Sequence, residues 1–187
     1  MNDSAPCIQD KALLAAPGLD DPHFRQAVVF MVRHTDEESF GLIVNRPTEH
    51  SLENVLEQAA HARLNRQGWL HFGGPVDGPL VALHDQSDLA DIPCSNGIYL
   101  TTDRAHLLDV LKRDYANVKL FAGFSGWGPN QLESELATGS WFVSDITSEQ
   151  VLGDSDNLWK HLLYRVGHQM WSETGFDLGD RSRAGWN

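Results

Sequence analysis

The segment Leu120-Phe-Ala-Gly-Phe-Ser-Gly-Trp-Gly-Pro-Asn-Gln-Leu-Glu133 constrains the fold more than any other. An apolar run stops at Gly123, and Gly126, Gly128 and Trp127 follow within six residues. Glycine lets a backbone take positive φ and lets a second chain approach closely. Residues 118–122 read as a strand that enters this bend. Pro129 suits the first position of a helix, and Leu132 and Leu136 lie one turn apart beyond it. A strand, a glycine bend and a helix start together offer an anion site on free N–H groups. The plainer expectation is a tight bend with Trp127 packed in the core.

Three named motifs fail on this segment. Gly123 and Gly128 have the P-loop separation, but Pro129-Asn130 stands where Lys and Ser/Thr are needed. Gln131 replaces the third glycine of a dinucleotide fingerprint. Gly123-Phe-Ser-Gly-Trp127 lacks the final glycine of a nucleophile elbow. Ser125, Asp145 and His161 do follow the chain order of an α/β-hydrolase triad, which leaves a hydrolase using Ser125 or His84 as an alternative.

Elsewhere, strand and helix signals are interspersed. Residues 12–16 are a short apolar run stopped by Pro17-Gly18. Residues 27–32 are continuously apolar, and residues 40–44 return after the acidic turn Asp36-Glu-Glu38, predicting a central hairpin. Ser51 is expected to cap a helix whose apolar face holds Leu52, Val55, Leu56, Ala59 and Ala60. Strands are predicted at 69–72, 80–83, 98–100 and 141–143, with a loop over 84–96. Thr102 or Asp103 caps a helix with Leu107, Leu108 and Leu111. Thr147-Ser-Glu-Gln150 fits a capping box, and a final amphipathic helix carries Leu158, Trp159, Leu162, Leu163 and Val166. The early hairpin breaks strict βαβ alternation. The expected fold is α/β of the α+β type: one compact domain over residues 12–170, a mixed, β-rich core flanked by helices. Residues 1–11 are read as a flexible N-terminal arm, and 171–187 as a polar tail or extension.

Composition removes several function classes. Acidic residues outnumber basic ones 26 to 14, for a net charge of −12, whereas nucleic-acid binding leaves a basic footprint. No apolar run approaches the ~20 residues of a membrane helix, and the N-terminus has no basic start or apolar stretch; the cytoplasm is the expected compartment. Cys7 and Cys94 form no Cys-x-x-Cys pair. None of the nine histidines sits four residues from another, so no helical metal pair exists and no metal or cofactor is expected. His71 and His84 flank Gly73-Gly74-Pro75 and would converge if their strands paired.

The candidate binding surface joins three glycine- or proline-marked strand ends: Asn45-Arg46, Gly73-Gly74-Pro75 with His84, and the bend from Ser125 through Gly126, Trp127 and Gly128 to Gln131. A guanidinium near a glycine loop binds carboxylate or phosphate; in an acidic chain it also finds structural partners readily. The expected role is a module that binds a small molecule or a protein, without catalysis.

These segments together resemble the YqgE/AlgH family of small bacterial proteins. The resemblance rests on Leu14-Ala-Ala-Pro17, Leu19-Asp-Asp-Pro22-His-Phe24, Gly41-Leu-Ile-Val-Asn-Arg-Pro47, Gly73-Gly-Pro-Val76, Leu83-His84, the segment from Ala122 to Glu133, and Leu158-Trp159. It spans roughly residues 12 to 166. It implies a compact β-rich domain and no particular reaction. Through one member linked to alginate control, it implies an indirect role in transcription. Asp77-Gly-Pro79 and Asn130 depart from the family pattern at two edges of the expected pocket.

Overall fold

Apolar strands that are buried on both faces, with alternate side chains entering different cores, set the architecture. The computed structural model describes residues 8–60 and 66–173. Eleven strands and five helices are found among them. The strands are β1 (Ala12–Ala15), β2 (Val28–His34), β3 (Ser39–Ile43), β4 (Pro47–Ser51), β5 (Trp69–Phe72), β6 (Val81–His84), β7 (Ile92–Pro93), β8 (Tyr99–Thr101), β9 (Val118–Ala122), β10 (Ser125–Trp127) and β11 (Trp141–Ser144). The helices are α1 (Leu52–Ala60), α2 (Arg104–Lys112), α3 (Gln131–Ala137), α4 (Ser148–Leu152) and α5 (Leu158–Glu173).

The α+β class is as expected, but the core is two sheets and not one. An antiparallel sheet runs β10-β3-β2-β1-β11, and a mixed sheet runs β4-β5-β9-β6-β8-β7, with β5 and β9 parallel. The hairpin of β2 and β3 is present, with β2 in the middle of its sheet and a register shift between Met31 and Arg33. Leu14, Val28, Phe30 and Leu42 point between the sheets to meet Leu83, Leu100 and Phe121. The intervening residues Leu13, Val29, Met31 and Ile43 point outward beneath Trp127, Leu132 and Trp141. The outer face of the mixed sheet, Leu70, Ala82 and Leu120, is covered by Leu56 of α1 and Leu107 and Leu111 of α2. Period-2 alternation thus gives the central strands β1, β2 and β9 two buried faces. One side of the sandwich is closed by Val151, Leu158 and Leu162 of α4 and α5. The side at β10 and β3 against β6, β8 and β7 stays open.

Local signals explain several helix ends. Asp103, not Thr102, caps α2, accepting from the N–H groups of Ala105 and His106. Ser51 Oγ accepts from Asn54 N at 3.3 Å ahead of α1. Thr147 and Gln150 complete the capping box of α4. At the end of α3, Gly139 N donates to Leu136 O and Ser140 N to Glu135 O, a Schellman arrangement.

Several expectations need correction. Pro129 is not the first helical residue: α3 starts later, after Asn130 at φ 60° with no side-chain cap. The glycine bend is itself a strand, β10, paired with β3. No strand–loop–helix anion site forms, and the first turn of α3 carries Glu133. The loop over 84–96 contains β7, and polar Pro47–Ser51 is the edge strand β4. Ile8 is buried, and Asp10 and Lys11 exchange backbone hydrogen bonds with Met31, so residues 8–11 are packed and not a loose arm. At the other end α5 continues through Glu173. Residues 1–7, with Cys7, and 174–187 lie outside the described residues. No helix among those described is long and apolar enough to cross a membrane.

Candidate functional site

Gly73 and Gly74 cross directly over the bend. A Cβ on Gly73 would sit 2.2 Å from Gly123 O, and one on Gly74 would sit 2.3 Å from the Phe124 carbonyl carbon. Gly74 also has φ of 152°, a conformation that L side chains rarely adopt. The crossing is tied by backbone: Gly73 N donates to Ala122 O (2.9 Å), Ile43 N to Gly73 O (2.9 Å), and Val76 and Phe124 exchange both bonds (3.0 Å each). Ser125 Oγ is fully buried and donates to Gly73 O at 3.1 Å. That hydroxyl is a tie between the two sheets. Among the described residues no histidine contacts it; Asp145 pairs with Lys11 instead, and His161 lies exposed on α5. The triad suggested by chain order is not assembled.

Asn45 and Arg46 reach the same neighbourhood but spend their polar atoms on the chain. Asn45 Oδ1 accepts from Val28 N (2.8 Å), and its Nδ2 donates to Gln26 O (2.9 Å). The Arg46 guanidinium donates to the carbonyls of Pro22, His23 and Arg25. Burial and the neighbouring Arg25 lower its pKa from the usual value. Together these side chains hold the 22–26 turn, which places Phe24 against Trp127 and edge-on to Trp141. Glu135 accepts from both indoles on one oxygen, Trp127 Nε1 at 2.9 Å and Trp141 Nε1 at 2.7 Å. Gln131 bridges from Gly128 N (3.2 Å) to the other Glu135 oxygen (3.0 Å). Asn45, Arg46, Gln131 and the Trp127 indole are therefore a structural knot on the outer face of the antiparallel sheet. Pro75 is exposed beside the crossing.

His84 does not join this group. Strand β9 lies between β5 and β6, so the two histidine strands do not pair and the condition for convergence is not met. His84 aligns with Val118, on the helix-covered face, whereas His71 aligns with inward-facing Phe121. His84 Nδ1 accepts from Gln86 N (3.2 Å), placing the proton on Nε2, which is buried and without a partner among the described residues. Burial holds its pKa down, against Asp85 and Asp91, which raise it.

What the convergence builds is a cleft at the open side of the sandwich, with a volume of about 520 Å³. Phe40 and Leu42 form one wall and Val81 and Leu100 the other; Val76 and Phe124, held opposite each other by the crossing, line it too. Phe40 and Phe124 meet edge to face at 6.3 Å. Of the expected site residues, Gly126 and Trp127 border the cleft. Glu38, Ser39 and Thr102 are its polar members; no lysine, arginine or histidine lines it among the described residues. The acidic β2–β3 turn, Asp36 to Glu38, stands at its mouth.

Sequence reading missed the walls because they come from five separated segments. The available signal was the apolar residue beside each glycine cluster, Phe40 before Gly41, Val76 after Gly73-Gly74-Pro75, and Phe124 after Gly123. It also missed Lys119. This side chain faces inward, almost fully buried, and donates to Val44 O and Ser155 Oγ, both at 3.0 Å. Burial pushes its pKa down to about 8, and burial with Lys119 nearby pushes His71 to about 4. Cys94 is a free, half-buried thiol whose pKa burial raises to about 12.

A two-sheet α+β sandwich flanked by helices, with glycine-crossed sheets and one open apolar side, defines the class. The chain belongs to the AlgH-like family, whose model matches residues 12–171. A UPF0301 protein from Myxococcus xanthus is 33% identical over 163 residues, covering 83% of this chain and 88% of that one. One from Streptomyces avermitilis is 33% identical over 177 residues, covering 87% and 89%. Among solved structures, the AlgH protein from Pseudomonas aeruginosa has a TM-score of 0.67 at 22% identity, covering 100% of both chains. A Corynebacterium diphtheriae protein reaches 0.70 at 22% identity, covering 88% and 90%. At that identity the structural likeness speaks for the fold.

Proposed function

We propose that this chain is a non-catalytic binding module of the cytoplasm, and that its ligand places apolar groups in the cleft between the two sheets. The observation that carries the reading is the cleft: about 520 Å³, walled mainly by aromatic and branched side chains, with Glu38, Ser39 and Thr102 its polar members. Sites of roughly 300–1,000 Å³ with such linings are the usual receptors for small apolar groups. Removing ~200 Å² of apolar ligand surface from water contributes about 5 kcal/mol, enough for useful binding after association costs. With a net charge of −12 on the chain, any effect on transcription would run through a bound partner and not through DNA phosphates.

The test is a titration with the neutral dye Nile red. The native chain is expected to saturate at one dye per chain. Val81→Trp, which fills the cleft from the middle of one wall, should remove that binding with the fold retained by circular dichroism. Equal dye binding by a folded Val81→Trp variant would refute the proposal.

A further inference from the structure

The cleft has an uncovered strand along its mouth. In an extended strand the N–H and C=O of successive residues point to opposite sides, so alternate residues point the same way. Phe124 gives both of its backbone groups to Val76, on the side away from β3. Ser125 and Trp127 therefore turn theirs to β3, opposite Gly41 and Ser39. The N–H and C=O of Gly126 point outward with those of Phe124. Gly126 is exposed, β10 is the outermost strand of its sheet, and no described residue pairs with this outward side of Gly126. A free donor and acceptor thus stand beside an apolar cleft that Gly126, Phe124 and Val76 border. Val76 itself is 39% exposed.

Resting on the cleft reading above, we infer that the occupant is an extended polypeptide segment: it adds as a strand to β10 through Gly126 and inserts alternate apolar side chains between the sheets. A small hydrophobe uses the cleft but leaves the Gly126 donor and acceptor unused; a strand uses both at once. Charge fixes the flanking chemistry. Asp36, Glu37 and Glu38 lie at the Trp127 end of β10, and Asp77 follows Val76 at the other. Arg33 is already held by Glu38 at 3.0 Å, and the chain carries −12 overall. The segment therefore has apolar residues at alternate positions with lysine or arginine on its flanks. A glycine at 126 keeps the edge bare: a Cβ there would point at the Phe124 ring (3.3 Å) and Val76 (3.8 Å), at the cleft mouth.

The test selects from a displayed library of random linear dodecapeptides against the full chain, then measures the winners on two variants. Gly126→Pro deletes the outward N–H and leaves the β3 ladder intact, since proline is tolerated on an edge whose N–H faces solvent. Gly126→Ala keeps that N–H and adds the same Cβ. Winners are expected to alternate apolar residues between basic flanks and to displace Nile red. They should weaken about tenfold on Gly126→Pro, the size of one lost hydrogen bond, and stay within about twofold on Gly126→Ala. Nile red makes no bond to that N–H and should bind the two variants alike, since each adds a Cβ at the cleft mouth. If dye saturates but no peptide displaces it, or if winners bind Gly126→Pro undiminished, the strand proposal fails and the cleft reading stands. If dye does not saturate on the native chain, both fail. Self-association abolished by Gly126→Pro would put a second copy on this edge and overturn the foreign segment.

Discussion

Replacing Glu135 with alanine tests whether the tryptophan of the bend is held by a carboxylate. Both indole N–H groups donate to one oxygen of this side chain, from rings only 5% and 3% exposed. Glu135→Ala leaves two largely buried donors unpaired. A hydrogen bond to a charged acceptor contributes about 1.5–3 kcal/mol, and an orphaned buried donor costs about 1–3 kcal/mol. The two indoles share an acceptor, so their losses overlap; the expected destabilisation is about 2–5 kcal/mol. Glu135→Gln is the diagnostic partner. Its amide oxygen can occupy the position that both indoles already use, keeping both bonds in neutral form, while its NH2 takes the place of the other oxygen and loses only the exposed bond from Gln131. It should cost about 1 kcal/mol. The assay is urea unfolding followed by far-ultraviolet circular dichroism and by tryptophan emission, at equal m-values. An alanine variant within about 0.5 kcal/mol of native would refute the carboxylate clamp, as would a glutamine variant as unstable as the alanine one.

Three further outcomes follow from the geometry. Gly73→Ala forces a Cβ to 2.2 Å from the Gly123 carbonyl, backbone against backbone, and should cost more than about 3 kcal/mol in the same urea assay or prevent folding. Lys119 has a folded pKa of about 8 against 10.5 ordinarily, so the native state binds fewer protons in that window. Stability should rise from pH 8 to 10.5 by up to about 3 kcal/mol, and Lys119→Met should flatten that rise relative to native. His71 is likewise depressed, to about 4 from 6.5, so its contribution is intact above 6.5 and is lost as pH falls toward 4, by up to about 3 kcal/mol. His71→Gln should remove that portion of the acid limb.

Local features were legible in the sequence, and long-range placement was not. The apolar runs around Val29 and Leu42 announce a hairpin because continuous burial needs cover on both faces. Thr147 and Gln150 announce α4 because a capping box is written in four adjacent residues. The glycines at 73 and 74 read most simply as a turn; that they cross over Gly123 is set by strands distant in sequence. The split into two sheets is invisible locally, since it depends on β9 inserting between β5 and β6. Polar, mostly exposed β4 carries no apolar pattern at all. Asn45, Arg46 and Gln131 have ligand chemistry by type; that the turn at 22–26 and the end of β10 consume it is a tertiary fact. Lys119 was readable in retrospect, because it shares a strand face with Phe121, which points into the core.

The central claim is that the open side of the sandwich receives apolar groups. Methyl-labelled NMR with bound Nile red tests it most directly, through contacts between dye protons and assigned methyl groups. The account predicts contacts to Leu42 on one wall and to Val81 and Leu100 on the other at once. A bound dye whose contacts fall on the Trp127–Trp141 knot, or on the surface of α5, would contradict it.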